Sequence, residues 1–328
     1  MNILLTGSAG FIGSHTAEKL LALGHFVVGI DNFDPFYPKA FKLHNLENLD
    51  PNPNFILAEG DIRDAALLNM LLGKHKINLV IHLAAKAGVR PSIEHISDYY
   101  DTNVTATVTL LEAMKAQGIQ NMLFASSSSI YGNNPKVPFS EEDFVDNPIS
   151  PYASTKKSGE LLAHVYSHLY GFNITCLRFF TVFGPRQRPD LAIHKFTRLI
   201  DLGLPLPFFG DGNTARDYTY VDDITEGIMC AVKNLGGYRI YNLGESRVVK
   251  LKELVQVIET RLGKKAILDF KPMQSGDVEI TYADISKAKN EIGYNPGFSL
   301  AAGIDHFVNW YQKNKRILYP DPVVNLEK

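Results

Sequence analysis

Cysteine is scarce in this chain, a long apolar run is missing, and neither charge sign dominates. Two cysteines occur in 328 residues, Cys176 and Cys230, each inside an apolar segment. They cannot build the disulfide framework of a small secreted scaffold, and buried free thiols suit a reducing compartment, so a cytoplasmic location is expected. Charges or glycines break every apolar segment before the ~18 residues that a spanning helix requires, so no membrane span is expected. The N-terminus enters a strand-like run at once, without the basic leader and cleavage site of a signal peptide. Lys and Arg total 33 against 35 Asp and Glu, which leaves no polybasic field and argues against nucleic acid as a partner. The ten histidines contain no HExxH pattern. His164 and His168 stand four apart but no acid joins them, so no metal site is expected.

What is present has the composition of an ordinary globular protein, long enough for two packed units. The first half alternates β-rich runs with amphipathic segments: a strand at 2–6, a helix at 10–23 and a strand at 25–31. Further strands are predicted at 54–59, 79–84, 122–126 and 174–179, with a helix at 104–117 stopped by Gly118. This βαβ order predicts a doubly wound parallel sheet. Two proline-rich stretches, 34–54 and 183–216, read as loops over the sheet.

Residues 3–13, ILLTGSAGFIG, place Gly7, Gly10 and Gly13 between an apolar strand and an amphipathic helix. Such glycines allow a sharp turn and a close approach to a pyrophosphate, and the helix N-terminus adds free N–H groups; Phe11 and Ile12 begin that helix. The second strand ends in Asp31, followed by Asn32, in the position of the acid that binds an adenosine ribose diol. A 2′-phosphate would be repelled there, and no arginine occurs before Arg63, so NAD is favoured over NADP. Asp61, next to Ile62, reads either as an acceptor for the adenine amino group or as the N-cap of a helix beginning near Ala65.

Tyr152 and Lys156 lie four residues apart at the start of a predicted helix, hence on one face. Lowering a phenol from its reference pKa of about 10 by three units requires roughly 4 kcal/mol, which neighbouring positive charge can supply. The tract Ser126 to Ser129 ends a strand, where open α/β sheets bind ligands.

TGSAGFIG, Asp31, LAAKAGVR, Asn103, ASSSSIYG, YASTK, LRFFTVFGP, RDYTYVDD and GDVEITYADISKAK occur in order. The chain thereby resembles the extended short-chain dehydrogenase/reductases over nearly its whole length. Within them it is most similar to the NAD-dependent nucleotide-sugar 4-epimerases of the UDP-glucuronate type. The resemblance implies a Rossmann unit, 1–182 joined by about 217–243, and a nucleotide-sugar unit of 183–216 and 244–328. It implies Tyr152 as the base, Lys156 as the group that lowers its pKa, and Ser127 bonded to the reacting hydroxyl. Leu83, Ala84, Ala85, Lys86, Asn103, Phe179 and Val182 fall on the cofactor side. The C4 hydroxyl would lose its proton to Tyr152 and its hydride to NAD; the 4-keto sugar would turn over and be reduced on its other face.

For the substrate, Arg188 and Arg216, with Arg90 a further candidate, match contacts to the UDP portion. Asp277 reads either as the cap of a turn or, by the resemblance, as a uridine ribose contact. Thr181, where galactose enzymes carry asparagine, points with Ser128 and Ser129 to the hexuronate carboxylate; held away from alignment with the 4-keto group, that carboxylate would not leave as carbon dioxide. Lys86 departs from the uncharged residue common in glucuronate enzymes, and Gln274 stands where galactose enzymes favour arginine. A UDP-glucose/galactose epimerase is the alternative. Dehydratases and decarboxylases of the same build place an acid in the segment equivalent to 127–129, and a sensor without catalysis has no need of Tyr152, Lys156 and Ser127. The helix after Tyr152 carries Leu161, Leu162, Val165 and Leu169, which suit either a core or the face of a homodimer.

Overall fold

The structure, a computed structural model, describes residues 1–272 and 280–320. Its frame is a parallel sheet of β1 (Asn2–Thr6), β2 (Phe26–Asp31), β3 (Phe55–Glu59), β4 (Leu79–His82), β5 (Asn121–Ser127) and β6 (Asn173–Phe179). Short strands β7 (Thr181–Phe183), β8 (Pro205–Phe209), β9 (Ala215–Arg216) and β10 (Tyr218–Tyr220) lie outside it, and β11 (Tyr238–Leu243) returns to complete it. The order is β11-β6-β5-β4-β1-β2-β3. The chain steps from β1 toward β3 and then restarts on the other side at β4, so a crevice opens between the ends of β1 and β4, where doubly wound sheets bind ligands. Thr6 pairs with both Ile30 and His82, so the loops leaving β1, β2 and β4 emerge level with one another.

Strand side chains alternate between two cores. Leu4, Val28, Val80, Met122 and Ile174 face one side, covered by α3 (Ala65–Lys74), α6 (Ala106–Ala116) and α7 (Pro151–Tyr170). Ile3, Leu5, Val27, Ile81, Leu123 and Leu177 face the other, and the residues beyond the sheet continue that core. It is built with helix 11–22, helix 221–233 and the C-terminal helix Leu300–Leu318. Cys176 and Cys230 are both buried and unpaired. Among the described residues no helix is long and apolar enough to cross a membrane.

The two stretches expected as loops contain regular structure. Residues 34–54 hold the helix Lys39–Leu46, entered from Pro38, and 183–216 hold the helix Ala192–Leu202 followed by β8 and β9. Proline is compatible with the entry to a helix because the first turn needs no N–H from it. The apolar positions Ile193, Phe196 and Ile200 were a helical signal outweighed by the prolines around them. Asp61 caps no helix: the carboxylate of Asp64 accepts from Leu67 N at the start of α3.

α7 begins with Ser150, whose hydroxyl accepts from Ala153 N, continues with Pro151, and stops at Gly171 in the left-handed region at φ 69°. A buried charge network pins it to the sheet. Glu160 accepts two bonds from Arg178 of β6, each 2.9 Å, and one from the Ser126 hydroxyl of β5 at 2.7 Å. Arg178 also donates to Tyr131 Oη at 2.9 Å. Removing one partner of such a pair strands the other charge in the interior. Glu160→Gln is therefore expected to lower unfolding stability by about 3 kcal/mol in urea titration; a loss within error would show that the pair does not anchor the helix.

Candidate active site

Above the sheet's carboxyl edge lies a cavity of about 620 Å³. Its floor begins at the glycine turn. Gly7 has φ +71°, its N–H donates to Ile30 O, and a Cβ on Gly13 would stand 2.0 Å from Gly7 O, so the turn admits no side chain at these two positions. Gly10 caps the helix Phe11–Ala22 without any side-chain bond, and Gly10, Phe11, Ile12 and Gly13 all line the cavity. The uncapped N–H groups of that first turn therefore face the cavity, the arrangement that receives a phosphate.

Asp31, also on the wall, is buried and accepts from Ala9 N at 3.2 Å, Phe33 N at 2.9 Å and Lys42 Nζ at 3.2 Å. A carboxylate offers about four acceptor sites, so one remains for a ribose hydroxyl. Lys42 was concealed in the sequence by the prolines before it. Asn32 and Ile62 line the same end. Asp61 does not; its oxygens accept from Asn32 Nδ2 and from Arg63, which holds its carboxyl well below the usual range.

At the other end Ser127, Tyr152 and Lys156 share the wall. Lys156 is buried, and its ammonium donates to Ala125 O at 2.7 Å and lies 5.9 Å from the Tyr152 ring centroid. Burial lowers its pKa from 10.5 to about 8. Burial also raises the Tyr152 hydroxyl, while its hydrogen bond with Ser127 and the charge of Arg188 work in the opposite direction. Tyr152 packs edge-on against Tyr99, another wall residue, with ring centroids 6.3 Å apart. Ser128 and Ser129 follow Ser127 in a short 3-10 turn, and Ser129 Oγ donates to Ser127 Oγ at 2.9 Å.

Asn103 is off the wall and holds the site from behind. It accepts from Lys86 N at 2.8 Å and donates to Lys86 O at 2.9 Å and to Thr155 Oγ1 at 3.0 Å, joining the loop after β4 to the helical turn between Tyr152 and Lys156. It lies in a π-helical turn, Asp101–Thr105, just before α6, the kind of irregularity that recurs at functional sites. Leu83, Ala84, Ala85, Lys86, Phe179, Thr181 and Val182 complete the central wall. Arg90, Arg188 and Arg216 also line the cavity. Arg188 is held by Asp190 through bonds of 2.9 and 2.6 Å, and Arg90 lies over the Phe209 ring at 5.5 Å. Phe209, Tyr99 and Tyr218 are wall residues that the sequence did not single out. Gln274 and Asp277 lie outside the described residues. The rings of His164 and His168 are parallel, 6.4 Å apart, on the exposed side of α7.

A lysine whose folded pKa is depressed costs stability while it is charged. That cost is present below about pH 8 and fades as pH rises from 8 toward 10.5, because the unfolded chain then binds the extra proton. Without cofactor, Lys156→Met is expected to melt higher than the parent at pH 7, with the gap closing toward pH 10; a gap independent of pH would contradict this account of the ammonium.

The chain and its fold have counterparts among known proteins. The family model described as GDP-mannose 4,6 dehydratase matches residues 4–307. A UDP-glucuronate 4-epimerase of Thermodesulfobacterium geofontis is 43% identical over 317 residues, covering 96% of this chain and 97% of that protein. The crystal structure of UDP-glucuronic acid 4-epimerase from Bacillus cereus with UDP-glucuronic acid and NAD superposes with a TM-score of 0.90 at 38% identity, covering 95% of this chain and 99% of that one. The UDP-glucose 4-epimerase of Thermotoga maritima with UDP-glucose gives 0.89 at 33%, covering 96% and 100%. The chain belongs to the GDP-mannose 4,6 dehydratase family of extended short-chain dehydrogenase/reductases.

Proposed function

We propose that this protein is an NAD-dependent UDP-sugar 4-epimerase whose substrate is UDP-glucuronate and whose product is UDP-galacturonate. The observation that carries the reading is one cavity holding the bare glycine turn at one end and Ser127, Tyr152 and Lys156 at the other. NAD fits this site: the uncapped helix start would hold its pyrophosphate, Asp31 its adenosine ribose, and Lys156 its nicotinamide ribose. When bound, the cofactor supplies an acceptor for the C4 hydride and returns that hydride later in the cycle.

The protein's own part is proton handling and positioning. Ser127 orients the C4 hydroxyl, and Tyr152 takes its proton. In the free site burial keeps the phenol protonated; the ammonium of Lys156 and the positive charge of an oxidised nicotinamide together stabilise the phenolate as it forms. The 4-keto sugar then turns about its diphosphate link, and Tyr152 gives the proton back. Arg188 and Arg216 hold the diphosphate, and Thr181 holds the hexuronate carboxylate. The cofactor unit comprises 1–182 and about 217–243, and the sugar-nucleotide unit the remainder.

Among the described residues the only carboxylates on the wall are Asp31 and Asp34, both beside β2. The sugar end thus lacks the acid that dehydration or decarboxylation calls for, which supports epimerisation. Purified protein given UDP-glucuronate without added NAD should produce the proton NMR signals of UDP-galacturonate, and Thr181→Ala should release a UDP-pentose as well. Silence with UDP-glucuronate but conversion of UDP-galactose would replace the substrate assignment; a Thr181→Ala enzyme that releases no pentose would remove that residue's role.

The working unit is a homodimer in the cytoplasm, a location in keeping with two free thiols. Leu161, Val165 and Leu169 are 56%, 44% and 60% exposed along one stripe of α7, and the same stripe of a second copy would cover them. Leu161→Glu with Leu169→Glu is expected to halve the sedimenting mass; an unchanged mass would place the interface elsewhere.

A further inference from the structure

Lys86 lies in the loop after β4, where Asn103 clasps both its backbone N–H and its carbonyl. Its ammonium reaches Asp34 at 3.4 Å, with Asp98 at 4.0 Å. Asp34 belongs to the loop after β2, and that loop fixes the carboxylate. Asn32 Oδ1 accepts from Asp34 N, and Asp34 Oδ1 accepts from Phe36 N, leaving Oδ2 for Lys86. In the sheet β1 lies between β4 and β2. The pair therefore joins the loops on either side of the glycine turn that follows β1, and both residues line the cavity.

We propose that Lys86 and Asp34 form a strap over the dinucleotide cleft that slows cofactor release. The inference rests on the NAD reading above. A dinucleotide seated on the Gly7–Gly13 turn with its adenosine at Asp31 lies under the span from Lys86 to Asp34, and it leaves toward solvent only when the pair opens. Retention has a chemical use. An epimerase must return the hydride to the sugar that gave it, so a reduced cofactor lost in mid-cycle strands a keto sugar. The side chains of both residues are 30% exposed, so salt should weaken the strap.

The test measures NAD release from holoenzyme. Protein loaded with NAD is diluted into ethanol and excess alcohol dehydrogenase, which converts each released NAD to NADH and reports it by absorbance. Lys86→Gln and Asp34→Asn should each speed release about two- to fivefold, the scale of a partly exposed ion pair. Their effects should not add in the double variant. The exchanged pair, Lys86→Asp with Asp34→Lys, should restore slow release, and parent release should quicken with salt while that of the single variants does not. Acceleration by Lys86→Gln alone would overturn the strap in favour of a direct bond from the lysine to the dinucleotide, and unchanged release in both single variants would overturn it outright. Parent protein that fails to bind added NAD would overturn the cofactor reading, and the strap with it.

Discussion

A buried ammonium is the constraint around which this site is organised. Lys156 stands at the carboxyl end of β5 on the carbonyl of Ala125, in surroundings that depress its pKa to about 8. Keeping that charge useful requires that it not be neutralised by an adjacent carboxylate and that it not wander. Geometry meets both needs. The two bonds that Arg178 donates to Glu160 fix α7 one turn beyond the lysine, and the bond that Asn103 donates to Thr155 fixes the turn that contains it. His82, the nearby titratable group, is buried between the hydroxyls of Thr6 and Thr107 with its pKa lowered to about 3. It stays neutral and adds no competing charge.

The same economy governs the cofactor end. The turn after β1 supplies N–H groups in place of charged side chains, and the ionic groups stand to its flanks, Asp31 with Lys42 on one side and Lys86 with Asp34 above. The cavity thus combines backbone dipoles at the glycine turn with the buried ammonium of Lys156 and the charge of Arg188 near Tyr152. This is the preorganised setting in which a phenol can change protonation state during a reaction.

The parallel sheet, the glycine turn, Asp31 and the Tyr152–Lys156 pair were legible in the sequence because each is a local pattern with a local cause: a strand, a turn without Cβ atoms, or two residues on one helical face. The helices at 39–46 and 192–202 were not, because the prolines near them suggested loops although Pro38 stands at a position where a helix tolerates it. Lys42 was hidden for a related reason: its partner Asp31 stands 11 residues away and leaves no periodic trace. Asn103 was visible only through resemblance. Its role depends on Lys86 and Thr155, 17 and 52 residues distant, and no spacing rule connects them.

In the proposed reaction one hydride leaves C4 of the sugar and comes back to C4 within a single site. The direct measurement uses UDP-glucuronate carrying deuterium at C4 in ordinary water, with mass spectrometry and proton NMR of both sugars at equilibrium. Deuterium is expected to be retained at C4 of the UDP-galacturonate formed. Replacement of that deuterium by solvent protons would contradict it, and would mean that the configuration is inverted by a route other than hydride removal and return.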